Sequence, residues 1–119
     1  MDEISMWTAD RIAEVKTTRR VDEVYLCRHR GADALGYYKD GVFCLVEGSK
    51  LSPSFQRQTE EFWERPDYCV ELRFRTEMTD DGYFKDNRAT RDEPFGSSLE
   101  MARIVCGERL EEGDWWQKL

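Results

Sequence analysis

The sequence predicts a small α+β domain: an antiparallel sheet of three to four strands packed by two to three helices, with a short N-terminal helix ahead of it. Three observations carry this expectation. Two apolar runs flank Lys39-Asp40-Gly41, the pattern of a hairpin. The stretch from Ser97 to Gly107 holds its own helix start and stop signals. The 119 residues are 39% hydrophobic and 13% aromatic, enough for one modest core built from few, large side chains. The chain divides into a helical extension over 1–22 and a single α+β domain over 23–119.

Residues 8–16 read as a short helix. Thr8 serves as N-cap, and Trp7 and Ile12 are spaced as a hydrophobic staple. The polar, β-branched run from Lys16 to Arg20 ends it. Val24 to Arg30 alternates as a strand, with Val24, Leu26, Arg28 and Arg30 on one face and Tyr25, Cys27 and His29 on the other. Ala34–Tyr38 is the next strand, and Gly41 supplies the positive φ of the turn. Val42–Val46 is apolar on both faces, the mark of a central strand covered twice.

Ser52-Pro53 reads as a helix start, with Phe55, Thr59, Phe62 and Trp63 at helical spacing, Arg57 facing Glu61, and Pro66 as the stop. Residues 67–77 fit either a strand, through Val70, Leu72 and Phe74, or a helix started by Pro66. Asp80-Asp81-Gly82 is a turn, Tyr83–Lys85 a short strand and 86–93 a polar loop. In the last helix Ser97 and Glu100 form a capping box and Gly107 takes the left-handed position. Trp115 and Trp116 follow a turn at 112–114.

Several motifs invite a chemical reading. Gly48-Ser49-Lys50 lacks the second glycine of a phosphate loop, so strand-end punctuation is the plainer role. His29 is the single histidine and stands between two arginines, which oppose its protonation. Asp80, Asp81, Asp86, Asp92 and Glu93 are dense, yet Gly82-Tyr83 breaks the alternating-oxygen pattern of a calcium loop. No metal or other cofactor is expected. Trp63, Trp115, Trp116 and Phe95 suit core packing or an aromatic platform. Adjacent tryptophans cannot easily both point inward, so Trp115 or Trp116 is expected at the surface. Cys27, Cys44, Cys69 and Cys106 show no zinc spacing. They read as reduced thiols, hence a cytoplasmic protein. The acidic start, Met1 to Ile4, has no apolar run behind it, and no segment reaches membrane-span length.

Net charge is −7, which argues against binding nucleic acid through bulk charge. The charge is uneven. Residues 11–59 carry nine basic and six acidic side chains; residues 60–119 carry nine and sixteen. A local basic patch in the first half is compatible with an acidic second half.

The order of these elements resembles an uncharacterised bacterial domain family, the one numbered 4357, over about residues 32–118. Gly36, Gly48, Ser49, Phe95, Ser97, Ser98, Ala102, Gly107 and Trp116 carry the resemblance. The family's usual Ala-Ala pair stands here as Met101-Ala102, and its usual Asn-Gly turn as Glu112-Gly113. The resemblance implies an accessory module found beside nuclease or restriction-type proteins, and so a non-catalytic recognition module for DNA rather than an enzyme. On that reading Arg28, Arg30, Lys50 and Arg57 contact phosphate, and Trp115 or Trp116 stacks. The alternative is an acidic protein-interaction module or small regulator, in which Glu60, Glu61, Glu64, Glu108, Glu111 and Glu112 converge on a basic protein partner. A small metal-dependent enzyme using the acids of 80–92 is a third reading.

Overall fold

The computed structural model describes residues 4–119; Met1, Asp2 and Glu3 of the acidic start lie outside the described residues. The elements in order are α1 (Ala9–Arg19), β1 (Tyr25–Cys27), β2 (Ala34–Lys39), β3 (Val42–Leu45), a 3-10 turn at Glu60–Phe62, α2 (Val70–Asp80), β4 (Phe84–Lys85), β5 (Arg88–Ala89), β6 (Glu93–Pro94), α3 (Ser98–Cys106) and β7 (Gln117–Lys118). The main sheet is antiparallel in the order β6-β3-β2-β1-β7, and β4-β5 is a separate hairpin. The fold is α+β, as expected, but the main sheet has five strands rather than three or four. β6 and β7 are two residues each, too short for alternation to show in a sequence. No described helix is long and apolar enough to cross a membrane.

Alternation along the central strands splits the interior in two. Tyr25, Cys27, Ala34, Phe43 and Leu45 face the larger cluster, with Met101, Ala102, Ile104 and Val105 of α3. Val24, Leu26, Leu35, Tyr37, Cys44 and Val46 face the other, with Trp7, Ile12 and Val15. The sheet is therefore covered on both sides, and β3 lies inside it between β6 and β2, with β2 at the centre. The β2–β3 turn has φ 53° at Asp40 and 78° at Gly41, the twist that suits a two-residue hairpin.

The N-terminal helix is part of this packing. Thr8 Oγ1 accepts from the Arg11 N–H, and Trp7 is buried beneath the helix it precedes. The Asp33 carboxylate accepts from Ser5 Oγ at 2.8 Å and from the Met6 N–H at 2.7 Å, and the Asp33 carbonyl accepts from Trp7 Nε1. Asp92 does the same at the far end of α1. It accepts from Arg19 Nε and Nη2, both at 2.9 Å, from Tyr37 Oη at 2.7 Å and from the Glu47 N–H at 2.8 Å. The stretch read as loop, 86–93, thus contains a hairpin turn, a sheet strand and a polar joint.

The helix expected from Ser52 to Pro66 is absent. The Ser52 hydroxyl donates to the Arg30 carbonyl at 2.6 Å and accepts from the Ser54 N–H, making a local turn. Beyond it the Gln58 N–H donates to Thr76 Oγ1 of α2 at 2.9 Å, and the backbone from Thr59 to Arg65 closes only short turns, Phe62 onto Thr59, Trp63 onto Glu60 and Arg65 onto Phe62. Arg57 pairs with Asp80, not Glu61.

The ambiguous stretch 67–77 resolves into α2. Its buried residues are Glu71, Leu72, Arg75 and Thr76, spaced as one helical face, but three of the four are polar. A polar buried face carries no hydrophobic periodicity, so the sequence offered none to read.

That face meets the C-terminus of α3. Arg75 is 1% exposed and stacks on Phe55 with 4.3 Å to the ring centre. Its guanidinium donates to the Ile104 and Val105 carbonyls, to the Ser52 carbonyl at 2.7 Å and to Asn87 Oδ1. Arg30 donates to the next carbonyls, Cys106 at 3.3 Å and Gly107 at 3.2 Å. The Gly107 N–H, with φ 66° at that residue, takes the Arg103 carbonyl. All four carbonyls that end a helix without an intrahelical partner are therefore satisfied. Arg103 itself pairs with buried Glu71 at 3.0 Å. Among the described residues no buried side-chain nitrogen or oxygen lacks a partner.

Gly48-Ser49-Lys50 has a structural role. Ser49 is fully buried, and its hydroxyl exchanges two bonds with the Leu35 backbone: it accepts from the N–H at 3.0 Å and donates to the carbonyl at 3.2 Å. The Ser49 carbonyl accepts from the Ala89 N–H, and Lys50 bridges Asp33 to Arg88 in the backbone. The motif joins the main sheet to the small hairpin.

Candidate functional site

The expected strand face of Arg28 and Arg30 does not form. β1 ends at Cys27, and Arg30 adopts φ 54° with Gly31 at 85°, closed by a bond from the Ala32 N–H to the His29 carbonyl. This tight reversal turns residues 28–30 outward at the end of the sheet, beside the chain leaving α3. Arg28 lies 3.8 Å from Asp33. His29 Nε2 and Arg30 Nη1 both approach the Glu108 carboxylate, at 3.4 and 3.6 Å.

Beside that corner lies an open groove of about 620 Å³. Its walls are the 28–30 reversal, the irregular stretch after Ser52, the start of α2 and residues 107–109. A long loop held by side chains on a rigid frame is where binding groups are commonly carried. Three guanidiniums line the groove: Arg30, Arg65 and Arg109. Arg65 is exposed and lies over the Phe62 ring at 4.3 Å; Arg109 donates to the Pro66 carbonyl at 2.7 Å. Neither makes an ion pair among the described residues. Asp67, Glu108, Gln56 and Gln58 add acceptors and carboxamides.

A smaller recess adjoins it through His29, lined also by Arg28, Trp115 and Asp114. Trp115 packs against the His29 ring at 4.9 Å between centres, and its Nε1 donates to the Glu111 carbonyl. Trp116 packs onto Phe43 at 4.7 Å, with Nε1 donating to the Ser98 carbonyl. Both tryptophans pack against the larger cluster, half-buried and with satisfied N–H groups, which corrects the expectation of one at the surface. The four aromatics considered for a platform are dispersed: Trp63 lies under Arg73, and Phe95 stacks edge-on with Phe74.

The structure brings Arg28, Arg30 and Trp115 to one corner. It places Lys50 in the bridge between Asp33 and Arg88, and Arg57 in a two-pronged pair with Asp80 at the end of α2. Arg65 and Arg109 were not singled out by the sequence. Their only signals are position: one precedes a proline, the other follows a helix-ending glycine.

Three of the five acids considered in 80–93 are paired elsewhere, Asp80 with Arg57, Asp92 with Arg19 and Glu93 with Arg91. Among the described residues no three His, Cys, Asp or Glu side chains gather as a metal-binding set. Burial pushes the Asp92 carboxyl up, but hydrogen bonds from Arg19, Tyr37 and the Glu47 N–H outweigh it and hold the group below the usual carboxylate range. Burial pushes Arg75 down to about 10, which leaves it a cation at neutral pH. Cys27 and Cys106 face one another across β1 and α3 at 3.7 Å, both buried and both free thiols. No family model, curated protein or solved structure matches the chain.

Proposed function

We propose that this chain is a non-catalytic recognition module that binds nucleic acid, with the arginine-lined groove as its contact surface. The observation that carries the reading is the groove's composition. Three guanidiniums converge on one concavity of a protein whose net charge is −7. Guanidiniums suit phosphate because their planar fork of donors matches its oxygens. The groove is flanked by an aromatic corner, His29 on Trp115, of the kind that accompanies phosphate contacts in strand-binding proteins.

The resemblance to the domain family numbered 4357 points the same way, toward an accessory module in a defence or restriction setting. The residues that carry it sit at tight places in this fold. Ser49 is locked to β2, Ser97 caps α3, Gly107 follows it and Trp116 packs on Phe43. The four free thiols suit a cytoplasmic setting. The competing reading, an acidic docking module, draws on the exposed Glu60, Glu61, Glu64, Glu108, Glu111 and Glu112.

The test is fluorescence anisotropy with short DNA, single-stranded and duplex, unmodified and base-methylated. The expected result is binding that weakens about tenfold or more between about 50 and 200 mM salt, and that falls on Arg109→Ala. No binding of any form at the lower salt, where attraction is least screened, overturns the reading.

A further inference from the structure

We infer that the groove takes an unpaired stretch of nucleic acid and contacts its bases, rather than the backbone of a duplex; this rests on the recognition reading above. The first argument is chemical. A surface made for phosphate alone has no use for carboxylates, which repel it. This groove sets Asp67 among its three arginines, beside the Glu108 carboxylate already approached by His29 and Arg30, with Gln56 and Gln58 alongside. Carboxylates accept hydrogen bonds from base amino groups, and carboxamides both donate to and accept from base edges. In an unpaired strand the Watson–Crick edges are open to such groups; in a duplex they are occupied. The mixture fits a ligand with anionic linkages and base edges within a few ångströms of each other.

The second argument is shape. A concavity of about 620 Å³ is the size of a small-ligand pocket. It accepts a nucleotide or two, whereas a duplex is a wide cylinder that rests on broader surfaces. The third is stacking. The Arg65 guanidinium sits over the Phe62 ring, 4.3 Å from its centre. A guanidinium plane fixed in this way can stack a base on its other face, and unpaired bases are recognised on such planes. The fourth is charge. A duplex carries twice the phosphate density of a single strand along its axis, so the acidic body repels it more.

The experiment compares three fluorescein-labelled 10-mers by anisotropy at low salt: a mixed-sequence single strand, the same strand in duplex, and an abasic strand with the same phosphates. The single strand is expected to bind about tenfold tighter than either of the others, a margin consistent with loss of one stacked base. Arg65→Ala, an exposed change, is expected to remove most of that margin over the abasic strand. Asp67→Asn is expected to change the ranking of oligo-dC against oligo-dT without tightening both equally. Duplex binding as tight as the single strand overturns the inference and leaves the recognition reading standing. Equal binding of the abasic strand overturns base contact. Uniform tightening on Asp67→Asn shows the carboxylate acting only as a repulsive charge and overturns base reading. Failure of all three strands to bind removes the recognition reading itself.

Discussion

The two faces of the sheet are jointed by opposite charges. On the α1 face the joints are carboxylates: Asp33 gathers Ser5 and Met6, and Asp92 gathers Arg19, Tyr37 and Glu47. On the α2 and α3 face they are guanidiniums: Arg75, Arg30 and Arg103 gather backbone carbonyls. The difference follows from what each face leaves unpaired. Around α1 the orphans are N–H and hydroxyl donors, which need acceptors. At the end of α3 they are carbonyls, which need donors. A carboxylate joint can be switched off by a proton, but a guanidinium joint keeps its charge at neutral and acid pH.

The comparison breaks most visibly at Arg75. Arg75→Met keeps much of the volume but orphans the Ile104 and Ser52 carbonyls together, while the Val105 carbonyl keeps the Ser52 N–H. A loss of about 4 kcal/mol is expected in urea unfolding. A loss under about 1 kcal/mol would show that water takes over the carbonyls and that the joint is dispensable.

Asp92→Asn is expected to cost about 2 kcal/mol, because the two-pronged bond from Arg19 loses its charge. The same joint sets an acid dependence. Its folded carboxyl is held below the ordinary value, so its contribution is complete above about pH 4 and drains away as pH falls through the folded value. Wild type should lose stability over that window, and Asp92→Asn should lose less. Parallel pH profiles for the two proteins would remove Asp92 as the acid-sensitive joint.

Ser49→Ala tests the point where the sheet meets the small hairpin. It leaves the Leu35 N–H without its acceptor, at an expected cost of about 1.5 kcal/mol, with no change in DNA binding. A lost ligand with unchanged stability would return the Gly-Ser-Lys motif to a binding role. Arg57→Ala marks the small end. The Arg57–Asp80 pair is well exposed, so no measurable change in the unfolding midpoint is expected, with anisotropy titrations unaltered.

What could be read from the sequence was local. Thr8, the Asp40-Gly41 turn, Ser97 and Gly107 act within a few residues of themselves, and each stands where its chemistry places it. What could not be read depends on distant partners. Phe55, Thr59 and Phe62 have helical spacing, but the Gln58 N–H in their midst is taken by Thr76 of α2, far along the chain. α2 was ambiguous because its buried face is Glu71, Arg75 and Thr76, satisfied by Arg103, α3 and Gln58. The groove suffered the same fate. Arg30 looked like one tooth of a strand, while Arg65 and Arg109 meet it only once a long irregular loop has crossed the end of α3.

The cap that Arg30 places on α3 has a thermodynamic consequence. The same guanidinium faces the groove and closes the helix through the Cys106 and Gly107 carbonyls. An anion that draws those N–H groups away uncaps the last turn; one that uses the remaining donors tightens it. Occupancy of the groove and fraying of α3 are then a single coupling free energy, equal in both directions. Amide exchange at Gly107 and Glu108 becomes a readout of the groove that needs no labelled ligand.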